Sequence, residues 1–112
     1  MNMEHLDYET LDTLRQVMED DFNLLIDTFI QDSNDRILVL RDVITGSDPD
    51  PIRRAAHSFK GSSSNVGAIR LMALCSNLEK KAMSNKLENL GQDLGDIEQE
   101  FARVQELLRA LD

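Results

Sequence analysis

Aromatic residues make up only 4% of this 112-residue chain, and tryptophan is absent. A core without large rings has to be built from Leu, Ile, Val, Met and Ala. With only two prolines and five glycines in the chain, that favours helices over sheets, where β-branched and aromatic residues are enriched. The single cysteine, Cys75, cannot close an internal disulfide, and its place in an apolar helical stripe makes it a buried small hydrophobe at home in a reducing compartment. No apolar run approaches the roughly 20 residues that span a bilayer, and an acidic stretch rather than a charged and apolar leader follows Met1, so the expectation is a cytoplasmic chain without a membrane partner. Positive charge is also scarce. Twelve Lys and Arg against 21 Asp and Glu leave a net charge of −9, a surface that repels phosphate backbones and anionic lipid and so excludes nucleic acid as the expected partner. What is present is ordinary for a folded domain: hydrophobic residues at 41% and charged residues at 29% are too apolar for disorder, and the length suits one domain over residues 1–112.

Periodicity divides the chain into five helices. Asp7 reads as the N-cap of a short first helix over 8–18, with Leu11, Leu14, Val17 and Met18 at helical spacing. Phe22, Leu25, Ile26, Phe29, Ile30, Ile37, Leu40, Val43 and Ile44 step by three and four residues through a second helix over 21–45, which Gly46 ends. Ser47-Asp48-Pro49-Asp50-Pro51 is a loop leading into a third helix over 51–65, whose first turn accepts Pro51. Gly67 supplies a position tolerant of positive φ just beyond it. Leu71, Leu74, Cys75, Leu78 and Ala82 mark a fourth helix over 68–84. A fifth, over 88–111, carries Leu90, Leu94, Ile97, Phe101, Val104 and Leu108, with Gly91 and Gly95 expected to fray its start. The expected fold is all-α, an up-and-down antiparallel four-helix bundle with the short first helix capping one end.

The third helix carries the chemistry. Ile52, Ala55, Ala56, Phe59, Ser63 and Val66 fall along one stripe and face the core, which turns His57, Lys60, Gly61 and Ser64 to the opposite face at i, i+3, i+4 and i+7. A neutral, exposed imidazole is a competent nucleophile toward phosphorus, and an ammonium one turn away can offset charge on transferred oxygens. A glycine in mid-helix costs stability, so Gly61 suggests that a side chain there would obstruct an approaching partner, while Ser62, Ser63 and Ser64 keep the region small. Each residue has an ordinary explanation when taken alone; their shared register favours the chemical one. His5 has no such neighbours and is expected to be a surface residue of a loose N-terminal segment.

His57-Ser58-Phe59-Lys60-Gly61-Ser62-Ser63-Ser64-Asn65-Val66-Gly67-Ala68, followed by Leu71 and Leu78-Glu79, resembles the signature of histidine-containing phosphotransfer (HPt) domains, and the helical layout extends the resemblance over practically the whole chain. The resemblance implies that His57 accepts a phosphoryl group at Nε2 and exchanges it with receiver-domain aspartates, with Lys60 as the phosphate-facing cation. It also implies that Glu79, 22 residues on, bonds to the other ring nitrogen. A carboxylate accepting Nδ1–H fixes the tautomer and leaves the Nε2 lone pair outward; the plainer reading of Glu79 is a solvated helix charge pairing with Lys80, Lys81 or Lys86. In relatives the second helix lines the docking face, so whichever of Phe22, Ile26 and Ile30, with Leu25 and Phe29, escape the core form an apolar patch beside His57; most are expected in the core and about two outside it, with Asp27, Gln31 and Arg70 as the polar rim.

No Gly-rich ATP loop, kinase signature or metal-ligand spacing occurs, so the chain reads as a phosphocarrier rather than an enzyme, with no metal site of its own and Mg²⁺ expected in the receiver. The expected partners are receiver domains of a hybrid sensor kinase and of a response regulator, met by a monomer. Competing readings are a helical adaptor in which His57 is incidental, a phosphotransfer domain of a larger kinase, and a di-metal bundle. The Lys60-Gly61 pair opposes the first, and the course of the chain from Met1 to Asp112 favours a free-standing protein over the second. The lack of a carboxylate three residues before the only helical histidine opposes the third.

Overall fold

In the computed structural model, which describes residues 4–111, five α-helices follow one another: α1 (Tyr8–Met18), α2 (Phe22–Val43), α3 (Pro49–Asn65), α4 (Ile69–Met83) and α5 (Leu90–Arg109). A 3₁₀ turn over Glu19–Asp21 links the first two. The expected span of 1–112 extends by residues 1–3 and 112 beyond the described residues. Asp7 caps α1 as expected, accepting from the backbone N–H groups of Glu9 and Thr10 and from the Thr10 hydroxyl.

The boundaries differ where turn chemistry outweighs periodicity. The second helix stops at Val43 rather than 45, because Thr45 and Gly46 donate to the carbonyls of Asp42 and Val43, tightening the end into i→i+3 bonds. The third begins at Pro49, two residues before the expected start. Asp48 is extended and accepts from Asp50 N–H, while Pro49 occupies the first helical position, where a missing N–H costs nothing. The fifth begins at Leu90, after Asn89 in a left-handed conformation, and runs through Gly91 and Gly95 without a break. Its first turn is tied down by Lys81, whose ammonium donates to Asp93 and to the carbonyl of Glu88.

The four long helices close into a ring in which α2 packs on α3, α3 on α4, α4 on α5 and α5 back on α2. Antiparallel pairing is visible in the ion pairs: Asp27 meets Arg109 and Arg41 meets Glu98, so partners descend along α5 as α2 ascends. Leu40, Ile52, Phe59, Leu71, Leu78, Ile97 and Val104 are fully buried between them. Full burial of a side chain such as Phe59 contributes about 1.5–3 kcal/mol. Cys75 lies in the same core as expected, and burial pushes its thiol up to about 12.

The segment before α1 straps this bundle at the α3–α4 connection. Leu6 is buried, and Asp7 N–H donates to the carbonyl of Gly67 at 2.8 Å. Gly67 has φ +71°, and a Cβ there would stand 3.1 Å from the Asp7 carbonyl oxygen and 3.2 Å from Thr10 Cβ. Gly67→Ala therefore meets both a left-handed backbone and a crowded strap, and urea unfolding followed by circular dichroism is expected to show a loss of at least about 1–2 kcal/mol; an unchanged midpoint would contradict this account of the loop.

Candidate functional site

Burial of Ile52, Ala56, Phe59 and Ser63 fixes the rotation of α3 and leaves His57, Gly61 and Ser64 exposed on its far side. The His57 side chain is 64% accessible. Lys60 turns toward α4 and is 31% accessible. A Cβ built on Gly61 meets nothing within 4 Å. Packing inside the chain therefore does not demand glycine there, and the space over Gly61, one turn beyond His57, is open.

Glu79, one helix away, is the residue these groups converge on. Its side chain is only 11% accessible, and its two oxygens are divided: His57 Nδ1–H donates to Oε2 at 2.7 Å and Lys60 Nζ donates to Oε1 at 2.6 Å. Lys80, Lys81 and Lys86 are not among its partners; Lys81 is committed to Asp93 and the Glu88 carbonyl. The Lys60 hydrogen bond, then that from His57, hold the Glu79 carboxyl below its ordinary value of 4.5 against the opposing effect of burial. With the folded value depressed, the contribution of these contacts to stability is complete above 4.5 and is lost as pH falls through the lowered value. An ionised carboxylate can only accept, so the Nδ1 atom of His57 carries a proton, and in the neutral ring the lone pair is left on Nε2.

Other cations near this face are occupied elsewhere. Arg53 and Arg54 both pair with Asp50. Arg36 of α2 donates to the Ser58 hydroxyl, a link between α2 and α3 that sequence reasoning missed, since nothing in the local pattern of either helix announces it.

The structure corrects the expected docking residues. Phe22, Ile26 and Ile30 are buried, as is Phe29, because α2 packs between α3 and α5 and spends its broad apolar stripe on the core. They form no patch beside His57. Arg70 is exposed but faces α5, lying 3.7 Å from Glu100. It precedes Glu79 by about two and a half helical turns and so projects from the opposite side of α4. Asp27 faces Arg109 of α5 and Gln31 is exposed. Among the exposed apolar side chains are Val39, one turn beyond Arg36 on α2, and Met83, one turn beyond Glu79 on α4; they are 51% and 68% accessible.

His5 is likewise not a loose surface residue. Its Nδ1 lies 2.8 Å from Oε2 of Glu100, a carboxylate buried in α5 and missed by the sequence reading because 95 residues separate the pair. His5, Arg70, Leu74, Glu100 and Arg103 line a cleft of about 590 Å³ on the α4–α5 side, to which none of His57, Lys60 and Glu79 contributes. Among the described residues no group of three His, Cys, Asp or Glu side chains is placed to hold a metal ion.

Comparison with known proteins bears on this arrangement. A family model described as the Hpt domain matches residues 24–112, a stretch that includes His57, Lys60, Gly61, Ser64 and Glu79. No curated protein matches. Among solved structures the chain is similar to the crystal structure of histidine-containing phosphotransfer protein B (HptB) from Pseudomonas aeruginosa PAO1. The two share 39% sequence identity and a TM-score of 0.92, and the match covers 96% of this chain and 94% of that one.

If Glu79 fixes the ring, ¹⁵N NMR at a pH where the His57 ring is neutral should show a single Nδ1–H tautomer, and Glu79→Ala should move proton occupancy toward Nε2. An unaltered tautomer balance would remove the orienting role.

Proposed function

The chain belongs to the Hpt domain family and is a histidine phosphotransfer intermediate of phosphorelay signalling, and on that premise we propose that His57 is its phosphoacceptor. It takes the group from a receiver aspartate of a hybrid sensor kinase and yields it to a receiver aspartate of a response regulator. The observation that carries this assignment is the combination of an exposed Nε2, an Nδ1 bonded to Glu79 at 2.7 Å, and open space over Gly61.

The Nε2 lone pair attacks the phosphorus of the aspartyl phosphate. A P–N bond forms as the P–O bond to the aspartate breaks, and the aspartate leaves as a carboxylate. The Nδ1 proton stays on the ring throughout, held by Glu79, and the reverse sequence passes the group on. The family consists of phosphocarriers rather than kinases. In this reading the chain itself lacks ATP-binding machinery, and the receiver supplies Mg²⁺ and most of the groups that act on the phosphoryl oxygens.

Hpt domains work with receiver domains. For this chain the docking face centres on His57 and Gly61 with Val39 and Met83 as flanking apolar contacts, a replacement for the buried α2 residues. We place the protein in the cytoplasm as a monomer. No helix among the described residues is long and apolar enough to cross a membrane.

Incubated with a phosphorylated receiver, the protein should gain an acid-labile, base-stable phosphoryl group, and His57→Gln should abolish it; labelling retained by that variant would refute the assignment. Val39→Glu and Met83→Glu should each slow transfer from the receiver by about tenfold, while phosphorylation of His57 by phosphoramidate, which needs no docking, stays at the rate of the parent protein. Equal receiver-dependent rates would dismiss this docking face.

A further inference from the structure

Lys60 does not stand free beside the imidazole. Its ammonium is bonded to Oε1 of Glu79 at 2.6 Å, while His57 holds Oε2 at 2.7 Å. Of the neighbouring cations, Arg53 and Arg54 pair with Asp50, Arg36 with Ser58 and Lys81 with Asp93, so among the described residues Lys60 is the cation that bonds Glu79. The two donors compete for one carboxylate. Charge drawn toward Lys60 is charge that no longer acts on His57.

That competition matters more once the ring is phosphorylated. Nε2 then shares its lone pair with phosphorus while Nδ1 keeps its proton, so the ring takes on imidazolium character. An uncompensated carboxylate at 2.7 Å would stabilise that cation and make the phosphoryl group slow to leave. A carboxylate shared with an ammonium stabilises it less.

We propose that Lys60 is a positioning residue that acts on His57 through Glu79, taking up part of the carboxylate's charge and thereby keeping the phosphoryl group on His57 easy to pass on. This rests on His57 being the phosphoacceptor. It differs in sign from a direct role for Lys60 on the phosphoryl oxygens. A direct clamp stabilises phosphohistidine, so its removal drives the group back to the receiver, whereas loss of a cation that restrains Glu79 leaves the group on His57.

Two measurements on the full chain separate these roles. In the first, the parent protein and Lys60→Met are brought to equilibrium with a phosphorylated receiver, and the share of phosphoryl group on each protein is read from acid and base lability. Lys60→Met should raise the ratio of phosphohistidine to aspartyl phosphate by about three- to tenfold, and Lys60→Gln, which keeps a donor without the charge, should raise it less. An unchanged or lowered ratio overturns the proposal. The second measurement needs no phosphorylation. The NMR resonance of the His57 Nδ1-bound proton should move to lower field in Lys60→Met, as its bond to Glu79 strengthens, and Lys60→Met should have no such effect in a Glu79→Gln background. The same displacement in both backgrounds, or none in either, overturns the proposal. Failure of His57 to take up phosphoryl group at all would instead sink the assignment of the acceptor and leave the proton measurement to decide the role of Lys60.

Discussion

A carboxylate that is nearly buried between two helices must be satisfied at both oxygens or give up its charge. Glu79 is satisfied by two residues of a single helical turn, His57 and Lys60, both from α3. The spacing of i and i+3 on α3 thus has to meet one position on α4, which makes the register of these helices and the geometry of the His57–Lys60–Glu79 cluster one and the same constraint. A slip of one residue would strand an ionised group in the interface. The packed stripe of Ile52, Ala56, Phe59 and Ser63 sets that register from below, and the Gly67 turn, held by the Asp7 strap, sets it from the end.

A second histidine and carboxylate meet on the other side of α4. His5 and Glu100 repeat the Nδ1-to-carboxylate contact, with Arg70 as the nearby cation. Here the histidine comes from the strap rather than from a helix, and the contact joins the first residues of the described chain to α5. The same chemistry therefore serves two ends. At His57 the ring is 64% accessible and points its free nitrogen into open space; at His5 it is 32% accessible and anchors a segment whose Leu6 is buried.

Much of this was readable in the sequence, for reasons that are local. The period of the α3 stripe and the exposure of His57, Gly61 and Ser64 follow from 3.6 residues per turn, and the cap at Asp7 follows from its side chain and the N–H groups two and three residues on. Start positions near Pro49 and Pro51 were ambiguous because either proline is tolerated in a first turn. The inward side of α2 was harder, since Leu24, Leu38 and Val39 are apolar yet exposed while Phe22, Ile26 and Ile30 are buried. A helix flanked on both sides needs an apolar stripe so broad that composition no longer identifies which residues remain outside. Arg70 was a different kind of miss: its distance from Glu79 along α4 already placed it on the opposite side, and the helical wheel held that signal. His5–Glu100 and Arg36–Ser58 join residues 95 and 22 positions apart, and no periodicity encodes a contact of that kind.

Charge distribution closes the case for a carrier. The chain as a whole bears −9, which would repel a dianionic phosphoryl group, yet α3 brings Arg53, Arg54 and Lys60 onto and beside the face of His57, and Arg36 reaches the same helix from α2. Three of these four cations are ion-paired, Arg53 and Arg54 sharing the single charge of Asp50 and Lys60 pairing with Glu79, so two carboxylates offset most of the charge of three cations and the site offers modest compensation rather than a deep positive well. A deep well would bind phosphate firmly and hold it. A carrier has to accept the group and release it with comparable ease, and a surface on which each cation already has a partner meets that requirement better than one on which the cations are free.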